Sequence, residues 1–335
     1  MADESLHPEV APHYYGGQAV VEGVMMRGKR TWAVAVRKPD GAIHREVHDC
    51  SDLPERRPWL GKPMVRGVWA LVDSLSIGMR ALGIAADHAF EELADEDGGS
   101  GGGVSMGLSM LLALVLFVGL FIVLPSVGTK FFDGLLLSDR LGDGAAFHLI
   151  ESAVRIVIFL AYLGSLSLVA DIRRVFEYHG AEHKTIAAWE HGEDLTPEAV
   201  DRYSTIHVRC GTNFLILVML LAVVVYTVAG VLVPPPEDPG LPVAILYHVG
   251  LRIVLLPVVA GLAYEGLRLG AARGGNPVVD ALMAPGLWLQ KITTRPPDVD
   301  QIEVAIRAFE AVVPDEVIAG RVSPDLGSPV VGPAA

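Results

Sequence analysis

The sequence predicts an α-helical polytopic membrane protein with four transmembrane helices. Apolar residues make up 51% of the 335 residues, charged residues only 19%, and the mean hydropathy is +0.43. The apolar residues are concentrated in long runs, which is typical of integral membrane proteins. Four runs are long enough to cross a hydrocarbon core of about 30 Å, and they lie at 104–128, 145–170, 211–233 and 241–264.

The charges between these runs predict the orientation of the chain. The segment between the second and third runs is rich in Lys and Arg, whereas the loop "PPPEDPG" between the third and fourth has neither. Because Lys and Arg favour the cytoplasmic side, we expect a multi-pass protein of the inner (plasma) membrane with both termini in the cytoplasm. The loop between the first two runs is an exception, since Lys130 and Arg140 would lie outside.

The polar parts predict a small cytoplasmic α+β portion built from the N-terminal hairpin, the loop between spans two and three, and the C-terminal tail. Residues 31–47 alternate apolar and polar around Pro39-Asp40-Gly41, which indicates a hairpin. Residues 64–86 have the pattern of an amphipathic helix on the membrane surface. Asp298 or Asp300 can cap a helix in the tail.

These elements divide the chain into five predicted regions. They are a disordered N-terminus (1–13), the hairpin, amphipathic helix and Gly-rich linker (14–103), a four-span membrane domain that includes the loop 171–210 (104–270), an interfacial segment and helix (271–319), and a disordered tail (320–335).

Charge and cysteine content exclude two classes of protein. The net charge of −13 argues against nucleic acid as a partner, because phosphate binding needs clustered Lys and Arg. Two cysteines, Cys50 and Cys210, are too few for a disulfide framework.

One segment combines histidines and a carboxylate with the spacing of a metal site. In "EYHGAEHKT" (177–185), His179 and His183 are four residues apart, with Glu182 between them. On a helix that continues the second span, with His179 at zero, His183 falls at about +40°, Glu182 at about −60° and Glu190 at about +20°. Two such imidazoles can bind one metal ion, and the carboxylate can take a proton from a bound water. The order matches the H-x-x-E-H pattern of the inverted zinc metallopeptidases.

A short second helix brings two more candidate ligands to the same membrane face. Thr196 is the predicted N-cap and Pro197 the first helical residue, and His207 and Cys210 follow at the entrance to the third span. The two pairs can therefore meet around one divalent metal ion, for which zinc fits these donors. Three protein ligands leave a position for water beside Glu182, whereas four close the site and make it structural.

A simpler interpretation stays open for each candidate ligand. The two histidines of the motif also suit an amphipathic turn at the membrane surface, since five-residue patterns arise by chance. Cys210 equally suits a small apolar side chain packed at a helix end, and His207 suits an interfacial side chain whose polar tip reaches water.

Four longer stretches resemble one protein family. They are "GGQAVVEGVMMRG" (16–28), "YHGAEHKTI" (178–186), "HVRCGTNFL" (207–215) and "PGLWLQKITTRPPDVDQIEVAI" (285–306). Over residues 14–313 the chain resembles the YqhQ-like family, bacterial membrane proteins of unknown function that are regarded as predicted metal-dependent enzymes. Val208 stands where the family pattern has proline. The resemblance implies a metal and suggests catalysis without naming a substrate, and it makes Glu22 a candidate accessory carboxylate.

Arg252 lies near the middle of the fourth predicted span, where a lone cation costs several kcal/mol. Glu151 and Arg155 in the second span are its candidate partners. Arg252 is therefore either part of a structural ion cluster or an accessory residue on a substrate path, and the pattern alone leaves both open.

Two functions of different classes follow. The first is a metal-dependent hydrolase that acts at the cytoplasmic membrane face on a membrane lipid or membrane peptide through metal-activated water. Glu182 would be catalytic, and His179, His183 and Cys210 or His207 would hold the metal. The second is a non-catalytic, metal-stabilised membrane scaffold or assembly factor. A transporter is disfavoured, because the first and third spans contain no charged residue.

Overall fold

The computed structural model describes residues 15–89, 102–137, 145–207, 210–234, 241–272 and 276–313. The two predicted disordered ends and the Gly-rich linker as far as residue 101 lie outside the described residues.

The described chain is mostly helical, with one small β-sheet, and it has the architecture of a helical polytopic membrane protein. Five of its helices are long and apolar enough to cross a membrane. Four of them correspond to the predicted runs, and the fifth is Val65–Ala89, which the sequence pattern predicted as an amphipathic surface helix. The corresponding four are Leu111–Leu135, Ala146–Leu166, Gly211–Leu232 and Val249–Gly270.

The helices are numbered here in chain order. They are α1 (Leu53–Arg56), α2 (Val65–Ala89), α3 (Gly102–Val118), α4 (Leu124–Phe132), α5 (Ala145–Leu166), α6 (Ala170–Glu190), α7 (Pro197–Asp201), α8 (Gly211–Leu232), α9 (Leu241–Ala272), α10 (Pro277–Thr293) and α11 (Val299–Glu310). A 3₁₀ turn covers Pro58–Gly61, and π-helical turns cover Gly119–Val123 and Asp133–Leu137.

The first span runs through Pro125 without a break. A proline has no N–H group, so the carbonyl of Phe121, four residues earlier, loses its usual intrahelical donor. The π-helical turn Gly119–Val123 separates α3 from α4 at this point, and Arg155 Nε donates a hydrogen bond to the Phe121 carbonyl at 2.9 Å. A side chain of the second predicted span therefore supplies a donor to a carbonyl that the proline cannot serve.

Helix α6 does not continue the second span, which corrects the sequence-based interpretation. Helix α5 ends at Leu166, and Val169 has an extended conformation (φ −76°, ψ 128°) before α6 begins at Ala170. The segment that carries the H-x-x-E-H pattern is helical as expected, but residues 167–169 separate it from the span before it.

The N-terminal residues form a four-stranded antiparallel sheet in the order β1–β2–β3–β4. The strands are β1 (Gly16–Val20), β2 (Gly23–Arg27), β3 (Thr31–Arg37) and β4 (Ile43–Asp49). The predicted hairpin is confirmed, because β3 pairs with β4 on either side of Gly41, which adopts a positive φ of 85°. The stretch 16–28 forms a second hairpin, with Glu22 in its turn at φ 50°.

Helices cover both faces of the sheet. Successive side chains of a strand point to opposite faces, and in β3 both sets are apolar and buried. On one face Val24, Ala33 and Ala35 pack with residues of α6 and α11. On the other face Trp32, Val34 and Val36 pack with Ile77, Ala81 and Ala85 of α2. The sheet and helices α2, α6, α7 and α11 are called the sheet domain below.

Helix α2 joins the sheet domain to the fourth span. Arg27 of β2 pairs with the buried Asp73 at 2.5 Å, and Arg66 forms an ion pair with Glu265 of α9. Large apolar side chains remain exposed on other positions of α2, namely Val72, Leu75, Met79 and Leu82. The helix thus covers the sheet with one face and leaves an apolar face uncovered.

The two predicted N-caps are present. The Thr196 side chain accepts a hydrogen bond from the Ala199 N–H at the start of α7. Asp298 caps α11 in a capping box with Gln301. Helix α11 then places Ile302, Ile306 and Phe309 in the sheet core.

Candidate metal centre

Helix α6 is buried on most sides where it carries the motif. Tyr178, Ala181 and Ile186 face the sheet core, whereas Glu182 and His183 are buried polar residues with 4% and 2% exposure. Gly180 lies against the chain after α10, and a Cβ there would overlap the Arg295 carbonyl oxygen. The glycine in the motif therefore allows close approach of two backbones.

Three of the four predicted metal ligands lie close together. The donor atoms of His179, His183 and Cys210 are all within 4.8 Å of one another. The Cys210 sulfur is 3.2 Å from Nε2 of His179, and the ring centroids of His179 and His183 are 4.5 Å apart. Two imidazoles and one thiolate are donors that suit zinc or another borderline divalent ion.

Backbone carbonyls fix the protonation of both imidazoles. Nδ1 of His179 lies 2.9 Å from the Thr293 carbonyl oxygen, and Nδ1 of His183 lies 2.5 Å from that of Thr205. Since a carbonyl oxygen only accepts, each Nδ1 carries the proton and donates it. In the neutral form of each ring, Nε2 then keeps its lone pair, which is the arrangement found in metal-binding histidines.

Glu182 lies beside these donors but is not one of the three. Its Oε2 is 3.8 Å from Nε2 of His179. Burial raises the pKa of Glu182 to about 7, although the charge of His179 and a hydrogen bond from the Gly17 N–H lower it. In the described part of the chain Glu182 forms no ion pair with Lys or Arg. A pKa near neutrality suits a group that takes and returns protons.

Burial also affects the neighbouring donors. It lowers the pKa of His183, with a further contribution from the charge of His179, so the ring is neutral. Burial and the nearby Glu182 raise the pKa of Cys210 to about 11, although the N–H groups of Thr212 and Asn213 at the start of α8 lower it. A divalent ion reverses this balance, because a coordinating thiol is deprotonated outright.

His207 is adjacent to the three donors but is not grouped with them. Its Nε2 lies 3.3 Å from Glu190 Oε2, and its ring centroid is 5.7 Å from that of His183. Gln290 of α10 holds the backbone of His207 on both sides, accepting from its N–H at 2.9 Å and donating to its carbonyl at 2.8 Å. Glu190, which the helical spacing placed on the same face as the motif, therefore partners His207.

The comparisons with known proteins place the chain in a family. Residues 62–315 match the family described as "Protein of unknown function (DUF1385)". The chain belongs to this family. It is also 33% identical over 313 residues to "Uncharacterized protein YqhQ" of Bacillus subtilis (strain 168), covering 90% of this chain and 93% of that protein. No solved structure matches the chain. All donor residues lie within the DUF1385 match, and the family relationship that the sequence resemblance predicted is confirmed. The metal and the enzymatic activity that the resemblance implies stay predictions.

The two remaining accessory candidates lie elsewhere. Glu22 pairs with Arg174 at 2.5 Å and accepts a hydrogen bond from the Tyr178 hydroxyl at 3.3 Å, so it attaches the first hairpin to α6. Arg252 belongs to an ion cluster between the spans, where it pairs with Glu151.

That intramembrane cluster contains the partners expected for Arg252. Glu151 accepts from Arg155 at 2.9 Å and from the Ser126 hydroxyl at 2.5 Å. His148 Nδ1 is 3.7 Å from the other oxygen of Glu151. Two arginines from different helices, Arg155 and Arg252, therefore share one buried carboxylate.

Sequence reasoning missed the residues that support the donors in this DUF1385 chain. Thr205 and Thr293 act through backbone carbonyls, which leave no signal in residue type. Gly17 acts through its N–H, and a Cβ there would lie 2.5 Å from the Met25 carbonyl oxygen and 3.0 Å from Cγ of Glu182. One indication of such residues was present in the sequence: Gly17, Gln290 and Thr293 lie in the four stretches that carry the family resemblance.

Proposed function

We propose that the chain is a metal-dependent hydrolase that acts on a membrane lipid or membrane peptide at the cytoplasmic face of the membrane. One observation carries this proposal. Two imidazole nitrogens with free lone pairs and one thiol converge, and a buried carboxylate lies 3.8 Å from one of the nitrogens without being counted among the three donors. Three protein ligands and a separate base are the composition of a catalytic zinc site.

Each residue of the candidate metal centre would have its own chemical role. A zinc ion held by His179, His183 and Cys210 would lower the pKa of a coordinated water to about 7. Glu182 Oε2 would accept the proton of the attacking water and return it to the leaving group. The Thr293 and Thr205 carbonyls keep the two imidazoles in the tautomer that leaves Nε2 free.

The sheet domain supports the cytoplasmic location. An open sheet has unpaired backbone groups at its edges, each of which costs several kcal/mol in hydrocarbon, so the sheet and the helix that covers it belong in water. We therefore propose four spans, with α2 lying along the membrane surface and its exposed Val72, Leu75 and Met79 towards the lipid. The Lys- and Arg-rich segment between the second and third spans then lies in the cytoplasm.

An apolar groove supports a membrane-embedded substrate. Residues of α2 and of the first three spans line it, including Met79, Leu120, Phe159 and Leu215. Leu215 lies in the second turn of α8, the helix that Cys210 caps. An acyl chain or an apolar peptide segment in this groove would extend towards the end of α8 at which the donors lie.

The test compares Glu182→Gln with the unchanged protein, purified in detergent and reconstituted with zinc in vesicles of phosphatidylethanolamine and phosphatidylglycerol. Mass spectrometry of the lipids tests the lipid substrate, and a fluorogenic transmembrane peptide in the same vesicles tests the peptide substrate. We expect Glu182→Gln to keep its zinc and to lose turnover by about 100-fold or more. Glu193→Gln, at an exposed carboxylate, is the matched control. Unchanged turnover in Glu182→Gln would refute the catalytic role.

A non-catalytic scaffold is the second candidate function, and burial is the observation that favours it. Cys210 is 6% exposed and His183 2%, and these donors connect α6 of the sheet domain with the start of the third span. A metal there would attach the sheet domain to the membrane helices. In that case His183→Ala would reduce stability and metal content together, and Glu182→Gln would change neither.

A further inference from the structure

A second group of histidines lies on the other side of the sheet domain. His44, Glu46 and His48 alternate along β4, so their side chains point to the same face of the strand. His88, in the last turn of α2, lies against them. None of these residues takes part in the candidate metal centre on α6.

The donor atoms of this group are close enough to share one ion. The donor atoms of His44, Glu46 and His88 all lie within 4.8 Å of one another. Nε2 of His44 is 3.0 Å from one oxygen of Glu46, and Nε2 of His88 is 3.7 Å from the same oxygen. Nε2 of His48 lies 3.1 Å from the other oxygen.

Simple pairing between histidine and glutamate does not account for this arrangement. One carboxylate can neutralise only one imidazolium, yet three imidazoles approach Glu46. The rings of His44 and His88 are side by side, with centroids 3.7 Å apart and an interplanar angle of 30°, which disfavours two positive charges. Nδ1 of His88 is buried and has no hydrogen-bond partner among the described residues.

We propose that His44, Glu46 and His88, with His48 as a supporting partner, form a second site for a divalent transition-metal ion. Imidazole nitrogens and one carboxylate oxygen suit Zn²⁺, Cu²⁺ or Ni²⁺, whereas Ca²⁺ and Mg²⁺ take mainly oxygen ligands. The four side chains are 25–33% exposed, so the ion exchanges with solvent. The bound ion joins the edge strand β4 to the end of α2, immediately before the segment that leads into the first span.

This inference uses different residues from the proposed function and can be tested separately with Co²⁺. The candidate metal centre formed by His179, His183 and Cys210 contains a cysteine, so Co²⁺ there gives an intense thiolate charge-transfer absorption. Co²⁺ bound by nitrogen and oxygen alone gives only weak visible bands. The experiment titrates Co²⁺ into the full chain after treatment with chelator, and follows both signals and the bound ions per chain.

We expect the unchanged protein to bind two Co²⁺ ions per chain, one for each group of donors. His88→Gln should weaken the site without thiolate absorption at least about tenfold, since loss of a supporting residue alone costs that much. The charge-transfer signal should persist, which shows that the variant is folded. His44→Gln should behave in the same way, and His191→Gln, at an exposed histidine at the end of α6, should retain both ions.

Cys210→Ser removes the thiolate, so this variant should still bind one Co²⁺ ion, with visible bands and no charge-transfer absorption. Adding His88→Gln to that variant should abolish these bands at the same Co²⁺ concentration. A stoichiometry unaffected by His88→Gln and His44→Gln would overturn the proposal. Binding of a single ion, with thiolate absorption only, would overturn it as well while leaving the proposed function standing.

Discussion

Two buried polar clusters of this protein contrast in how their charges are balanced. Between the spans, Glu151 is surrounded by Arg155, Arg252 and the Ser126 hydroxyl. At the end of α8, Glu182 lies among imidazoles and a thiol, and its hydrogen-bond donor is a backbone N–H. The first cluster brings together groups of opposite charge, whereas the second brings together groups that donate electron pairs.

The difference separates a structural role from a chemical one. A carboxylate paired with arginines is fully committed to them, and removing it would leave uncompensated buried charges. A buried carboxylate that lacks such a partner is costly, and so is a set of electron-pair donors facing one another. Such an arrangement is expected where a cation or a reaction compensates for it. The predictions below separate the two clusters, beginning with the largest expected effect.

Glu151→Gln should destabilise the membrane helices by about 3–5 kcal/mol, because it leaves two buried arginines without their carboxylate. The measurement is chemical unfolding in detergent micelles followed by circular dichroism. Glu193→Gln removes an exposed pair with Arg202 at 3.3 Å and should cost at most about 1 kcal/mol. Equal effects of the two substitutions would show that the intramembrane cluster is not structural.

The metal-free protein should lose stability as the pH rises, owing to Glu182. Burial raises its pKa in the folded state to about 7, so the folded state binds the proton more tightly than the unfolded state does. The stability contributed by Glu182 is fully present below the unfolded pKa of about 4.3 and is lost as the pH rises to about 7, with a total of about 4 kcal/mol. Glu182→Gln should abolish this component. The free energy of unfolding, measured at about pH 5 and pH 8 in the presence of chelator, tests this. The same pH dependence in the variant and the unchanged protein would show that Glu182 is not its source.

Zinc should stabilise the protein through the cysteine centre. At a free concentration 100 times the dissociation constant, binding to the folded state alone adds about 2.7 kcal/mol. In a His88→Gln background, which removes the second proposed site, Cys210→Ser should remove most of this gain, whereas Cys50→Ser, at the half-buried free cysteine beside the sheet, should keep it. Thermal unfolding with zinc and with chelator gives the comparison. A zinc effect that survives Cys210→Ser in that background would place the ion elsewhere.

Gln290→Leu should weaken zinc binding about tenfold, or about 1.4 kcal/mol. The amide holds the backbone of His207 and also donates to Asn213 at 3.1 Å, and so it positions the loop that carries Cys210. Competition with a chromophoric chelator measures the affinity. Lys291→Ala, at the exposed neighbouring residue, is the control and should have no effect.

Local signals predicted much of the fold. Long apolar runs marked the spans, and Thr196 and Asp298 marked helix starts because a cap is a contact within one turn. The end of α5 carried no such signal, since Ser167, Leu168 and Val169 include neither Gly nor Pro. The break lies where α6 turns to pack on the sheet, which is a long-range effect. The status of α2 was ambiguous for a similar reason, because an apolar face looks the same whether a sheet or lipid covers it.

The candidate site was predictable in its side chains only. Histidine and cysteine are recognisable from their chemistry, and the spacing of His179 and His183 on a helix placed both on one face. The spacing of His207 and Cys210 did not carry the same meaning, because neither of these two residues lies within a helix. Every residue has a carbonyl group, so the roles of Thr205 and Thr293 depend on tertiary structure.

The sheet core joins residues that come before the membrane helices in the chain with residues that come after them, and this order affects biosynthesis. Val24, Ala33 and Ala35 precede every span, whereas Ile306 and Phe309, which cover them, follow the last one. During synthesis the membrane helices must therefore insert while one apolar face of the sheet is still uncovered, because helix α11 has not yet been made. A chain truncated before Val299 should reach the membrane normally and yet be prone to aggregation or proteolysis there.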